Sequence, residues 1–432
     1  MKLSEELSWR GFVAENTIKQ SEELDERPHK KFYFGADPSA DSLTIGNLAA
    51  LMMCACFVRH GYQPYLLVGG ATGQIGDPKE NGERDLKTLK EVEHNKVCIR
   101  QQMESIISPE GAANTIGDGD PTNDHYELTM VDNLDWFKDI NYLDFLRTIG
   151  KNLSMTQLLD RKFIQNRIGD GGSGISYAEF SYTLIQGYDF LHLYRTFGID
   201  LQLCGADQFG NASTGVHLIK RLENGQADIW STPLVIDPVS GRKFGKSEGN
   251  AIWLTSKDNG SGNFTSVFDF YQFWLNQADE AVEYLIKIYT ILDKQQIDQL
   301  LTEHKTHPEQ RPAQKALAKN VTEVVHGKNS ASAAVLLSEL LFGDRNFNTL
   351  SESDIESVAL LLPTIKLVDY HGELPLIEAL VLTDLCSSRS EAKQLISSNA
   401  ISVNKQKITD QNFKINTTAI LKRGKNKFAL VK

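Results

Sequence analysis

The sequence predicts an α/β chain: a doubly wound parallel sheet first, then an all-helical stretch, then a small α+β end. Three observations predict it. Strand-like runs alternate with helical patterns up to residue 247, the signature of βαβ units. Several of those runs end in polar turns punctuated by glycine (Gly35 to Pro38, Gly69 to Gly73, Gly205 to Asn211), where open parallel sheets hold ligands. From about Val267 to Leu341 the strand signal gives way to helical spacing alone. At 432 residues the chain exceeds one ordinary domain. We expect a sheet domain over 1–247, a helical domain over 248–350, a connection over 351–372 and a terminal domain over 373–432.

Taken in order, Lys31-Phe32-Tyr33-Phe34 is short, aromatic and strand-like. The turn through Asp37 and Pro38 follows, and then an apolar helix begins near Thr44, with Leu48, Leu51, Met52, Ala55 and Val58 at helical spacing. Tyr65 to Val68 reads as a buried strand and Arg84 to about Ile107 as a charged helix. Gly111 to Asp124 is loop-like, and Leu128 to Val131 is a further strand. Helical patterns run over Tyr142 to Ile149, Ser154 to Ile168 and Ser176 to Phe197. Ile199 to Cys204 and Thr232 to Ile236 read as strands, and Gly241 to Ser247 as a basic mobile loop. The last 60 or so residues mix a helix, Ser390 to Ser397, with short strand-like runs.

Composition excludes several classes. No apolar run approaches membrane-spanning length, and the acidic start, Met1 to Glu6, does not suit a signal or transit peptide. The five cysteines show no C-x-x-C pairing; they read as small buried hydrophobes, as expected in a reducing cytoplasm, and no metal site is expected. The net charge of −11 argues against indiscriminate nucleic-acid binding by the whole molecule. Its distribution is uneven: from Leu385 onward there are ten basic residues, Arg389, Lys393, Lys405 and Lys407 among them, against Glu391 and Asp410. Such a basic end suits a nucleic-acid partner, although a solvated basic surface has the same composition.

Three stretches carry chemistry. A helix start at Thr44-Ile45-Gly46-Asn47 presents free backbone N–H groups suited to phosphate, and Gly46 lets a ligand approach the backbone; an ordinary first βα unit is the alternative. Tyr182, Gln186 and Asp189 share one face of the 176–197 helix among apolar neighbours. Such a stripe is expensive to bury unless it is satisfied, and a ligand with an ammonium and a hydroxyl would satisfy it; a solvent-facing stripe is the alternative. Lys243-Phe244-Gly245-Lys246-Ser247 offers two ammonium groups on a flexible loop, able to close on a polyphosphate, although taken alone the pattern equally describes a solvated basic loop.

Together, and in this order, these stretches resemble the bacterial-type tyrosyl-tRNA synthetases, a family of class I aminoacyl-tRNA synthetases. The resemblance rests on Tyr33 to Leu43, Gly69 to Gly73, Tyr182 to Asp189, Gly205 to Asn211 and Lys243 to Ser247, and covers essentially the whole chain. The basic end, with Ser388 to Ile396 and Ile401 to Asn404, resembles an S4-like RNA-binding fold. The resemblance implies a Rossmann-like catalytic domain that activates L-tyrosine with ATP, Mg²⁺ bound with the ATP, and charges tRNA(Tyr) as a cytoplasmic homodimer. Tyr33 and Asp189 would grip the phenol hydroxyl. Tyr182, Gln186 and Asp77 would bind the ammonium, with Gln202 supporting the pocket and Gln208 beside the carboxylate. Gly35, Asp37, Ser39, Gly46, Gly205 and Asp207 would line the ATP site, Asp207 on the ribose. Thr44, Asn47, Lys243, Lys246 and Ser247 would act on the phosphates. Arg389, Lys393, Lys405 and Lys407 would meet RNA.

The chain departs from the family's H-I-G-H pattern with Thr44 in the first place and Asn47 in the last. Thr44 keeps a hydroxyl but is shorter and cannot be cationic. Phe34 stands where relatives commonly have a small residue. Two readings from other classes stay open on the sequence: an RNA-binding paralogue without catalysis, and a tryptophanyl enzyme or nucleotidyltransferase on the same fold.

Overall fold

In the Lys31–Ala36 strand (β1) the consecutive residues Phe32, Tyr33 and Phe34 are all buried, which marks a central strand with both faces covered. In a computed structural model it lies in a five-stranded, all-parallel sheet ordered β3-β2-β1-β4-β5. The others are Gln63–Val68 (β2), Thr129–Asp132 (β3), Leu201–Gly205 (β4) and Asp228–Thr232 (β5). The structure describes all residues except 79–84, 108–127, 160–161, 170–171, 238–240, 242–243, 245, 248–249 and 425–426. The expected loop over Gly111 to Asp124 therefore lies outside the described residues. The order of the sheet reverses between β1 and β4, so the crevice at their carboxyl ends is where ligands of such sheets bind.

The chain divides into two compact units, residues 1–265 with 277–317, and residues 266–276 with 318–432. In the first, the Ile45–Arg59 helix is buried almost all round, as its apolar composition requires. The Tyr177–Phe197 helix is capped by Ser176, whose hydroxyl accepts from Glu179 N–H, and ends at Gly198 with a φ of 66°. It packs on the Phe209–Glu223 helix at close range. A Cβ on Gly187 would stand 2.7 Å from Thr214, and one on Gly215 would stand 2.6 Å from Phe190. Arg10, from the Leu3–Arg10 helix, donates to the carbonyls of Lys287, Thr290 and Leu292, tying the chain start to the end of the Asp279–Tyr289 helix.

In the second unit, Phe268 of the Val267–Leu275 helix packs with Leu336, Leu337 and Leu340 of the Lys328–Phe342 helix, with Phe428 and Leu430 alongside. A sheet ordered β11-β10-β13-β14-β8 encloses a separate core of Leu374, Leu376, Leu380, Ile396, Ile401 and Leu421. These strands are Gln406–Lys407 (β11), Ile401–Val403 (β10), Ala419–Arg423 (β13), Lys427–Val431 (β14) and Thr364–Ile365 (β8), and a separate two-stranded ladder joins Leu374–Pro375 (β9) to Lys414–Ile415 (β12).

Three sequence expectations need correction. The fifth strand occupies Asp228–Thr232, not Thr232 to Ile236: Pro233 has no N–H to continue the ladder. The stretch 351–372 is more than a connection, since it forms the Glu352–Ala359 helix and then β8, which pairs parallel with β14. Lys246 and Ser247, expected in a loop, form a short strand (β6) paired with Asn250–Ala251 (β7). Among the described residues no helix is long and apolar enough to cross a membrane.

Candidate active site

At the carboxyl ends of β1, β2 and β4 lies one cavity of about 740 Å³. Tyr33, Gly35, Asp37, Ser39, Thr44, Gly46, Asn47, Asp77, Tyr182, Gln186, Asp189, Gln202, Gly205, Asp207 and Gln208 all line it. Fifteen residues chosen from five separate stretches thus share one space. Lys243 lies outside the described residues, and Lys246 and Ser247 are placed by their backbone alone.

The apolar end is built on sheet register. Tyr33 pairs with Gln202 across the parallel β1–β4 ladder, so both side chains leave the same face. Both are 2% exposed, as is Asp189 from the Tyr177–Phe197 helix. Among the described residues, the Tyr33 hydroxyl, Gln186 Oε1 and Gln202 Oε1 have no hydrogen-bond partner. Each such buried group costs roughly 1–3 kcal/mol unless something pairs with it. Asp189 is held by two donors, Trp136 Nε1 at 2.9 Å and Asn133 Nδ2 at 3.1 Å. Burial pushes the Asp189 carboxyl well above the usual carboxylate range, against those two donors, which pull it down. Burial, reinforced by Asp189, likewise raises the Tyr33 phenol.

The polar end is a web of carboxylates and amides. Asp37 accepts from the Tyr182 hydroxyl at 2.8 Å and from the Thr72 hydroxyl at 2.7 Å. Expected with the nucleotide, Asp37 thus stands against Tyr182 and joins the two ends of the cavity. Asp77 accepts from Gln208 Nε2 at 2.9 Å and from Asn211 Nδ2 at 3.2 Å. The Gly69-Gly70 pair is required by this packing: a Cβ on Gly69 would meet Thr72 Oγ1 at 2.1 Å and Asp37 Oδ1 at 2.3 Å, and one on Gly70 would meet Asp132 Oδ1 at 2.1 Å.

At the other side the Ile45–Arg59 helix begins. Asn47 Oδ1 accepts from Thr44 N–H at 3.0 Å and from Thr44 Oγ1 at 2.9 Å. That leaves the NH₂ of Asn47 as the end able to donate outward. Gly46 is exposed, and a Cβ there would come no nearer than 3.5 Å to Thr44 Oγ1, so internal packing does not demand the glycine.

Sequence reasoning missed Asn133, Trp136 and Asn211. Asn133 is fully buried and joins the ends of β2 and β3 to the Tyr177–Phe197 helix, donating to Thr72 Oγ1 and Asp189 and accepting from Ala71 N–H. Its signal was available: a polar Asp132-Asn133 pair just past a strand of a parallel sheet.

In the second unit, Arg389 and Lys393 lie on the Arg389–Ser397 helix, and Lys405 and Lys407 on the β10–β11 hairpin. All four are exposed. Lys405 donates to the Gly343 carbonyl at 2.6 Å, and Arg389 lies 3.9 Å from Glu378.

The chain is similar to known proteins along its length. Residues 25–343 match the family model for class I tRNA synthetases (W and Y), and residues 354–431 match the tyrosine--tRNA ligase SYY-like C-terminal domain. The chain is 37% identical over 447 residues to a tyrosine--tRNA ligase of Bacteroides fragilis, covering 100% of this chain and 99% of that one. It is 38% identical over 441 residues to that of Amoebophilus asiaticus, covering 99% and 98%. A C-terminally truncated mitochondrial tyrosyl-tRNA synthetase of Aspergillus nidulans superposes with a TM-score of 0.68 at 27% identity, covering 79% of this chain and 94% of that one. The chain therefore belongs to the class I tRNA synthetases, and within them to the tyrosine--tRNA ligase family.

Proposed function

We propose that this protein activates L-tyrosine with Mg·ATP to tyrosyl-adenylate and transfers the tyrosyl group to the 3′-terminal adenosine of tRNA(Tyr). The observation that carries the choice of amino acid is the base of the cavity, where the unpaired Tyr33 hydroxyl and the Asp189 carboxylate are both buried. A phenol hydroxyl pairs with both at once, accepting from one and donating to the other. Phenylalanine leaves the Tyr33 hydroxyl unpaired and gives Asp189 no donor beyond Trp136 and Asn133, and an indole has no oxygen to accept.

Tyr182, Gln186, Asp77 and Asp37 receive the ammonium, with Gln202 backing the pocket and Gln208 beside the carboxylate. That carboxylate is already ionised, so it attacks the α-phosphorus in line without a general base. Catalysis then rests on position and on charge stabilisation at the phosphates. Gly35, Ser39, Gly46, Gly205 and Asp207 cradle the nucleotide; Thr44, Asn47, Lys243, Lys246 and Ser247 meet the phosphates. Mg²⁺ enters with ATP as part of that substrate. Arg389, Lys393, Lys405 and Lys407 contact tRNA, and the working unit is a homodimer in the cytoplasm.

The test is charging of tRNA(Tyr) by labelled tyrosine, with elution volume read on the same sample. Acid-stable tyrosyl-tRNA from a dimer is expected. tRNA binding without charging would instead mark a paralogue that has lost catalysis.

A further inference from the structure

The segment preceding the Ile45–Arg59 helix is stitched to residues 252–263. Asp41 accepts from Asn259 Nδ2 at 2.6 Å and from Asn263 Nδ2 at 2.7 Å. Ser42 Oγ accepts from Thr255 N–H at 3.0 Å, and the Leu43 carbonyl accepts from Leu254 N–H at 2.8 Å. Thr44 bridges Trp253 in antiparallel fashion, and Ile45 N–H donates to the Ile252 carbonyl at 3.1 Å. This seam continues directly into the β6–β7 hairpin, where Lys246 is paired with Ala251. The start of the helix and the Lys246 hairpin are therefore one connected piece of backbone.

One side chain reaches this seam from outside it. Gln102, on the Leu89–Ile107 helix, accepts from Leu43 N–H at 2.8 Å through Oε1. Through Nε2 it donates to Thr255 Oγ1 at 2.7 Å and to Ser42 Oγ at 3.3 Å. It thereby grips both strands of the seam one residue before Thr44. Seven residues earlier on the same helix, Asn95 Nδ2 donates to the Pro38 carbonyl at 3.0 Å, so the helix also holds the turn after β1.

We propose that Gln102 is a positioning residue for adenylate formation: it sets the spacing between the Thr44–Asn47 helix start and the Lys246 hairpin. The inference rests on the reading of that end of the cavity as the phosphate site. Charge that develops on phosphates is stabilised only by donors already in place, and a misplacement of about 1 Å can cost about 10²-fold.

The experiment is tyrosine-dependent ATP–pyrophosphate exchange by the full-length chain, with tyrosine affinity measured separately by equilibrium dialysis. Wild-type exchange comes first: without it the proposed function itself fails, independently of Gln102. In Gln102→Ala we expect kcat to fall by about 10- to 100-fold while the tyrosine Kd stays within about twofold. Gln102→Glu should recover to within about fivefold, because its carboxylate still accepts from Leu43 N–H and the Thr255 hydroxyl can turn to donate. Adding Thr255→Val to Gln102→Ala should cost less than about twofold more, since both remove the same link. Gln102→Ala within about threefold of wild type, or a tyrosine Kd weakened as much as kcat, overturns the proposal. Should Gln102→Ala not fold, Thr255→Val alone decides: about a fivefold loss of kcat at unchanged tyrosine Kd supports it, and activity within about twofold overturns it.

Discussion

Asp189 shows how a buried acid is kept useful. Its site favours the neutral form, and only the Trp136 and Asn133 donors oppose that. Trp136→Phe removes one donor, so we expect kcat/KM for tyrosine in pyrophosphate exchange to fall about tenfold, as for one charge-assisted hydrogen bond. Phenylalanine, which makes no use of the carboxylate, should lose less. Histidine 326 gives a second residue-scale prediction. It is buried against Phe270, and burial lowers its pKa from 6.5 to about 4. The unfolded chain takes up a proton below pH 6.5 that the folded chain refuses until about 4. Its contribution is therefore fully present above pH 6.5 and lost as pH falls through that window, by as much as ~3 kcal/mol. His326→Leu should flatten the fall of Tm between pH 6.5 and 4; an unchanged slope would contradict this. At this scale the pocket was legible because Tyr182, Gln186 and Asp189 announce themselves as a polar stripe in apolar company, whereas Tyr33, inside an aromatic strand, was legible only through the family resemblance. Asn133 and Trp136 did not: they lie 56 and 53 residues from Asp189, in the turn after β3 and the four-residue helix that follows it, too short for a periodic pattern.

Among the elements, the helix that carries Tyr182, Gln186 and Asp189 owes its position to two glycine contacts with its neighbour. Gly215 receives Phe190, and Gly187 receives Thr214. Gly215→Val would force the helices apart, since even its Cβ falls 2.6 Å from Phe190 Cβ. We expect a loss of roughly 1–3 kcal/mol in stability and a raised KM for tyrosine, read by thermal melting and exchange kinetics. Helices were legible here because caps and spacing are local: Ser176 and Gly198 bracket the helix as the sequence indicates. Strand β5 falls short of the expected span because Asp228 and Ser231 obscure its apolar character and Pro233 stops the ladder. The short strand β8 was illegible for another reason: two residues carry no pattern, and their pairing with β14 is 66 residues distant.

Across the whole molecule, charge is segregated by unit. A net −11 chain ends in a basic stretch whose cations are unequal. Lys405 is engaged with Gly343, Arg423 with Glu391 and Lys414 with Glu373, whereas Lys393 and Lys407 have no ion pair among the described residues. Lys393→Ala with Lys407→Ala should weaken tRNA binding and lower its salt slope by about two, leaving pyrophosphate exchange unchanged. The most direct test of the account is pyrophosphate exchange with tyrosine, phenylalanine and tryptophan in parallel, in wild type and Tyr33→Phe. One unpaired buried hydroxyl and one missing hydrogen bond to a buried carboxylate, at ~2 kcal/mol each, predict about 10³-fold preference for tyrosine over phenylalanine, and little exchange with tryptophan. Tyr33→Phe should narrow that preference by about tenfold or more. Equal exchange with tyrosine and phenylalanine, or a preference that Tyr33→Phe leaves untouched, would contradict a pocket that reads the phenol hydroxyl.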